Sequence, residues 1–273
     1  MKEEMMKIVI KAYHIIFSSV LLLYACEGLF EYSPYQALVN DKYKNTTSKN
    51  LDKIKIFNLT GTDTFKLAVI ADSHYQYNDL EDALEDINND SEIIFVLHAG
   101  DFTHFGMLKE YEIFHKILDE LKTPYLTVIG NHDYLSNGGK IYQEMFGELN
   151  YSFVFNNNKF ILFDNIVWES NKEPDFGWLE EELSDNHSYD KVFVLAHIPP
   201  FTDQFDKEKE NRYKNLLADN NVKLSIHGHI HTYYYTDTYN DSVKYLVVPN
   251  SKKRSYCVIT VNNDSYTVEK VDY

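Results

Sequence analysis

Only two cysteines occur in the 273 residues, Cys26 and Cys257, so no disulfide framework can hold this chain together. Cys26 ends an apolar stretch, whereas Cys257 lies in Tyr256-Cys257-Val258-Ile259 and reads as a small buried hydrophobe. Glycine and proline are sparse, at 10 and 6 residues, which argues against fibrous, repetitive or largely disordered classes. Basic residues are scarce too: 26 Lys and Arg against 42 Asp and Glu leave a formal charge of −16. That excludes an extended nucleic-acid surface, whose affinity rests on a broad cationic patch. It does not exclude a small phosphoester held by metal ions, because bound cations can dominate the local field. The surplus acids otherwise read as a solvated surface. No apolar run is long enough to span a membrane comfortably.

What the N-terminus does contain is shorter. Lys2, Lys7 and Lys11 precede an apolar run from Ile15 to Cys26 with the length of a signal-peptide core. Leu23-Tyr24-Ala25-Cys26 resembles the bacterial lipobox, in which the cysteine is lipidated and becomes the new N-terminus. The alternatives are an uncleaved anchor or an ordinary signal peptide. The expected organisation is a leader over residues 1–25, a spacer or lead-in over 26–60 and one domain over 61–273. A bacterial envelope location follows, lipid-anchored through Cys26 or otherwise secreted or periplasmic.

With 44% hydrophobic residues the chain can bury one substantial core. In the lead-in, Asn45-Thr46-Thr47-Ser48-Lys49-Asn50 reads as loop and Ile54-Lys55-Ile56-Phe57 as an edge strand. Past Gly61 the pattern sharpens. Leu67–Ala71, Ile93–Leu97 and Tyr125–Ile129 are apolar runs of strand length. Between them, Leu80, Ala83, Leu84 and Ile87 recur at helical spacing, as do residues over Leu108–Leu121. Strand–helix–strand repetition implies right-handed parallel units. Further on, Tyr151–Phe155 and Lys159–Phe163 read as a hairpin. Helices near Phe176–Leu183 and Lys207–Asn220 alternate with strands at Lys191–Ala196 and Val222–Ile226. Tyr233–Thr238, Val243–Val248, Tyr256–Val261 and Tyr266–Val271 read as antiparallel strands. The sum is an α/β (α+β) fold: a four-layer α/β-β/α sandwich of two mixed β-sheets flanked by helices.

Five short motifs follow these strands in order: Asp72-Ser73-His74, Gly100-Asp101, Gly130-Asn131-His132-Asp133, His197 and Gly228-His229-Ile230-His231. Ligands of open α/β sheets bind beyond the carboxyl ends of the strands, so Asp72, Asp101, Asn131, His197 and His229 should ring one crevice. In Asp72-X-His74 and His229-X-His231 a two-residue step along extended chain would return both side chains to one side, each pair serving one metal centre.

The set resembles the calcineurin-like metallophosphoesterase superfamily, whose signature runs DxH, GDxxD, GNH[DE], H, GHxH, and it spans residues 66 to 232. The resemblance implies a two-sheet sandwich flanked by helices and two transition-metal ions, divalent or trivalent. Asp72, His74, Asp101 and His231 would hold one; Asp101, Asn131, His197 and His229 would hold the other, with Asp101 bridging. Mixed nitrogen and oxygen ligation suits Mn, Fe or Zn better than Ca or Mg. A metal-bridging hydroxide would attack the phosphorus, with His132 beside the leaving oxygen and Asp133 orienting His132. One position departs from the signature: Gly100-Asp101-Phe102-Thr103-His104 ends in an imidazole where the family has a carboxylate.

Other cationic or imidazole groups have plainer readings. His98 is expected buried and hydrogen-bonded, His14, His115 and His187 lie outside the motifs, and His227 is placed to line the crevice. Lys252-Lys253-Arg254 reads as a solvated loop, with a substrate phosphate as the other option. The short motif spacing and Ala196-His197-Ile198-Pro199-Pro200 are most similar to the compact branch that includes cyclic-nucleotide phosphodiesterases. Hydrolysis of small phosphoesters, diesters ahead of monoesters, is therefore expected; the alternative is a non-catalytic binding or scaffold protein that keeps the fold.

Overall fold

In the strand Phe65–Ile70 only Lys66 is less than buried, so both faces of this short apolar run are covered. The computed structural model describes residues 35–57, 64–184 and 188–273, with Ser33 and scattered positions up to Phe17. The stretch from Ser18 to Cys26, His187 and Asn186 lie outside the described residues. Among the described residues no helix is long and apolar enough to cross a membrane.

Residues Ala37–Tyr273 form one compact unit. Its elements in chain order are α1 (Thr46–Ile56), β1 (Phe65–Ile70), α2 (Tyr77–Asn89), β2 (Ile93–His98), α3 (Leu108–Leu118), β3 (Tyr125–Thr127), α4 (Asn131–Tyr134) and α5 (Gly138–Met145). They continue with β4 (Tyr151–Phe155), β5 (Asn158–Leu162), α6 (Phe176–Leu183), β6 (Lys191–Leu195), α7 (Lys207–Asp219), β7 (Leu224–His227), β8 (Tyr234–Thr236), β9 (Lys244–Val247), β10 (Ser255–Val261) and β11 (Tyr266–Asp272). One sheet has the order β11-β10-β1-β2-β3 and the other β4-β5-β6-β7-β9-β8. β1, β2 and β3 are parallel, as are β5, β6, β7 and β9; β4, β8, β10 and β11 join antiparallel. The two mixed sheets flanked by helices are as expected.

Side-chain alternation builds the layers. Leu67, Val69, Phe95 and Leu97 from one sheet meet Phe160, Leu162, Phe193, Leu195, Leu224 and Ile226 from the other in a single cluster. The intervening Ala68, Ile70, Val96, Ile161 and Val194 pack with helical residues such as Leu84, Phe114, Tyr142, Leu179 and Leu217. Each fully buried Leu, Ile or Phe contributes roughly 1.5–3 kcal/mol of transfer free energy, which sets the sandwich rigidly beneath its loops.

Three expectations need correction. The lead-in is not loop and edge strand: Thr46–Ile56 is helical and packs on β3 and β4. Its Thr46 hydroxyl lies 3.0 Å from His115 Nε2, tying α1 to α3. β9 pairs parallel with β7 and antiparallel only with β8, so the last four strands are divided between the sheets. His227 does not line the crevice; it is fully buried, 2.7 Å from Ser225 Oγ and stacked on Tyr245. His98 is buried against Ser73 Oγ at 3.1 Å, as expected. Arg254 pairs with Asp79 and Asp82 of α2.

Candidate metal centre

Parallel strands end on a common edge, and here both sheets deliver donors to it. β1 stops at Ile70 before Asp72 and His74, β2 at His98 before Asp101, and β3 at Thr127 before Asn131. β6 stops at Leu195 before His197, and β7 at His227 before His229 and His231. The chain must then turn sharply. Asp72, His74, Asp101, His229 and His231 all adopt left-handed backbone, with φ of 50°, 42°, 57°, 70° and 62°. Each such residue costs about 1–3 kcal/mol, and strain of this kind gathers where function requires it. The two-residue pairs are therefore not extended. Asp72 and His74 do face one donor group, but His229 and His231 diverge to different ones.

Crowding explains two of the motif glycines. A Cβ on Gly130 would stand 2.2 Å from both the amide nitrogen and Oδ1 of Asp101. On Gly228 it would stand 2.7 Å from Asp72 Oδ2.

Asp72, His74, Asp101 and His231 offer donor atoms within 4.8 Å of one another, and so do Asp101, His197 and His229. Asn131 Oδ1 joins the second group, 3.2 Å from His197 Nε2 and 3.1 Å from His229 Nδ1. Asp101 belongs to both. All the ligand positions named from the sequence thus converge.

The hydrogen bonds behind these donors fit a metal pair. His197 Nδ1 donates to the Ala99 carbonyl at 2.7 Å, and His74 Nδ1 to the Thr103 carbonyl at 3.0 Å. Each bond leaves Nε2 with its lone pair turned inward. There His197 Nε2 lies 3.2 Å from Asp101 Oδ2, and His74 Nε2 lies 3.5 Å from His231 Nε2. Acceptors packed against acceptors repel unless a proton or a cation lies between them. A mixed imidazole, carboxylate and amide set suits transition-metal ions.

Without metal, protons take that place. Burial lowers the His197 pKa, but the charge and hydrogen bond of Asp101 outweigh it and raise it to about 9. Burial acts to raise Asp101, yet His197, His74 and His132 hold it well below the usual carboxylate range. The hydrogen bond to Asp72 raises His231. Burial lowers His74, and burial with the neighbouring His197 takes His229 down to about 4.

Asp133 does not orient the His132 ring. Its Oδ2 accepts from the amides of Asp101 and Gly130 at 2.8 and 2.9 Å, and its Oδ1 from the amide and hydroxyl of Thr103, both at 2.8 Å. Burial and the Asp101 carboxylate push its pKa up to about 8 against the pull of these donors. Asp133 thereby staples the Asp101 loop to the Gly130 loop. His132 is held instead by main chain: its Nδ1 donates to the His104 carbonyl at 2.8 Å, and its own amide donates to Asp101 Oδ1 at 2.8 Å. The His104 ring stacks on His132, centroids 5.1 Å apart, with Tyr75 edge-on at 4.7 Å. Where the family signature has a carboxylate, this chain supplies a carbonyl and an aromatic face.

Motif reading missed several supports. Asn165 receives the Ile198 amide at 3.0 Å and donates to its carbonyl at 2.7 Å, bracing the turn after His197. Glu169 accepts from Asn131 Nδ2 at 3.0 Å and from Gln204 Nε2 at 3.3 Å. Both lie in segments with no metal-ligand spacing, and only the fold brings them near.

Comparison with known proteins agrees with this geometry. A protein of Xenorhabdus bovienii (strain SS-2004) named "Probable cyclic nucleotide phosphodiesterase" is 24% identical over 204 residues, covering 68% of this chain and 74% of that protein. Among solved structures, a purple acid phosphatase from yellow lupin seeds (Lupinus luteus) matches 77% of this chain and 51% of its own, with a TM-score of 0.62 at 15% identity. GAP50, the anchor in the inner membrane complex of Plasmodium, shares the fold to the same TM-score of 0.62 and 15% identity, over 77% of this chain and 84% of that one. The profile of the calcineurin-like phosphoesterases matches residues 65–233, the span from β1 through the last histidine motif, and the chain belongs to that family of metal-dependent phosphoester hydrolases.

Proposed function

We propose that the protein hydrolyses small phosphodiesters, and monoesters less well, at a dinuclear centre. Asp72, His74, Asp101 and His231 would hold one ion, and Asp101, Asn131, His197 and His229 the other, with Asp101 common to both groups. The observation that carries this reading is the pair of donor groups sharing Asp101. Mn, Fe and Zn suit the mixed donors. Bound ions would supply a hydroxide nucleophile at neutral pH and oppose the charge on the phosphoryl oxygens.

The chain's own residues do the rest. His132 has its Nδ1 occupied by the His104 carbonyl, so its Nε2 is the atom available to protonate or hydrogen-bond the leaving oxygen. A carbonyl partner fixes tautomer and ring direction but brings no full negative charge. Asp133 acts through the loops rather than on the ring. The preference for diesters is supported by the Xenorhabdus relative, whose name is that of a cyclic nucleotide phosphodiesterase.

The lipobox-like Leu23-Tyr24-Ala25-Cys26 supports an envelope protein held by a lipid on Cys26. Mass spectrometry of the mature N-terminus tests this, and an intact Met1 refutes it.

GAP50 carries the same fold and is described as an anchor, so activity must be measured directly. Reconstitution with Mn, Fe or Zn, followed by a panel of aryl phosphate diesters and monoesters, should reveal metal-dependent hydrolysis that Asp101→Ala abolishes. Full activity after Asp101→Ala, or in metal-free protein, would sink the proposal.

A further inference from the structure

An amide ligand has two faces, and only one of them can bind a cation. Asn131 Oδ1 carries lone pairs, whereas Nδ2 has none to offer. The two ends are nearly the same size, so packing alone chooses weakly between them. In this protein the choice is made by a second residue. Glu169 Oε1 accepts from Asn131 Nδ2 at 3.0 Å, which turns Oδ1 toward His197 Nε2 and His229 Nδ1. Glu169 is itself held: Gln204 Nε2 donates to its Oε2 at 3.3 Å, and the Gln204 side chain is buried. Glu169 lies in the segment between β5 and α6, and Gln204 between β6 and α7.

We infer that Glu169, braced by Gln204, is a positioning residue that fixes the Asn131 amide with its oxygen toward the second metal. The inference rests on the dinuclear reading above. A carboxylate is suited to the task because it can only accept, so it enforces one orientation of any amide set against it. Loss of such outer partners typically costs about 10- to 100-fold in metal affinity.

The chain itself suggests the control. Gln204 Oε1 is buried with no partner among the described residues. In Glu169→Gln the new amide can still accept from Asn131, while its NH2 faces Gln204, whose own amide can turn to present Oε1. Orientation survives although the charge is gone.

Titration of the full chain with Mn2+, following free Mn2+ by electron paramagnetic resonance, separates the first and second equivalents. Glu169→Ala should weaken the second equivalent by about 10- to 100-fold and spare the first. Glu169→Gln should stay close to wild type. Asn131→Asp placed in the Glu169→Ala background should restore the second equivalent, because a carboxylate needs no orienting; in the native background the same change sets two carboxylates together and should weaken it. The inference is overturned if Glu169→Ala binds both equivalents normally, or if both weaken alike as the thermal midpoint of the chelated protein falls. It is also overturned if Glu169→Gln is as poor as Glu169→Ala, since charge rather than orientation would then be at work. Wild-type protein that binds a single equivalent overturns the dinuclear reading, a result distinct from these.

Discussion

Removing metal should make the stability of this protein fall as pH rises across the neutral range, and His197 sets the size of the effect. Its folded pKa of about 9 lies above the ordinary histidine value because Asp101 Oδ2 stands 3.2 Å from Nε2. A raised folded pKa means the folded chain binds the proton more tightly than the unfolded one. The stabilisation is therefore complete below about pH 6.5 and is lost as pH climbs through about 9. At 1.36 kcal/mol per pH unit the loss is on the order of 3 kcal/mol. Asp133, raised to about 8, adds in the same direction up to that pH. For a chain of this size 1 kcal/mol moves the thermal midpoint by roughly 2–4 °C, so the His197 share alone should lower the melting point of chelated protein by about 6–12 °C between pH 6.5 and pH 9. Metal-loaded protein should lack most of this slope, because the cation replaces the proton, and loading should release protons measurable by calorimetry in buffers of different ionisation enthalpy. His197→Asn should flatten the slope of the chelated protein. A flat profile in chelated wild type, or an unchanged slope in His197→Asn, would refute the argument.

Three further outcomes are expected. His132→Ala should lower kcat by about 100- to 10,000-fold with metal content intact, and the loss should be greater for alkoxide than for nitrophenoxide leaving groups; parallel loss for both would speak against a role at the leaving oxygen. Thr103→Val removes the hydroxyl donor to Asp133 Oδ1 and the acceptor for the Gly106 amide. It should cost about 1.5–3 kcal/mol in urea unfolding while the pH dependence of kcat keeps its shape. Gly130→Ala, whose Cβ would meet Asp101 at 2.2 Å, should abolish metal binding, and normal metal content in soluble protein would contradict the packing.

Helices and strands with strong periodicity were legible in the residues: α2, α3, α6 and α7 and the apolar strands fall where their patterns put them. α1 was not, because Thr46, Thr47, Ser48, Lys49 and Asn50 have the composition of a loop. Burial of Thr46, Thr47, Asn50 and Ile54 against the sheet makes it a helix. The four-residue α4 begins within the Gly130-Asn131-His132-Asp133 motif itself, and the eight-residue α5 follows it, held by burial of Ile141, Tyr142 and Met145. The parallel β7–β9 pairing escaped because alternation reports which face is buried and not which neighbour is beside it.

The candidate centre divides in the same way. Donor type is a property of single residues, and strand ends are marked by the apolar runs before them. The sequence alone therefore determined that Asp72, His74, Asp101, Asn131, His197, His229 and His231 share a crevice. Which donor faces which, across separations such as the 98 residues between Asn131 and His229, depends on packing and backbone turns. The resemblance already divided His229 from His231, as the donor groups do; only the tertiary structure could give Asp133 to the loops, hand His132 to the His104 carbonyl and set Glu169 behind Asn131.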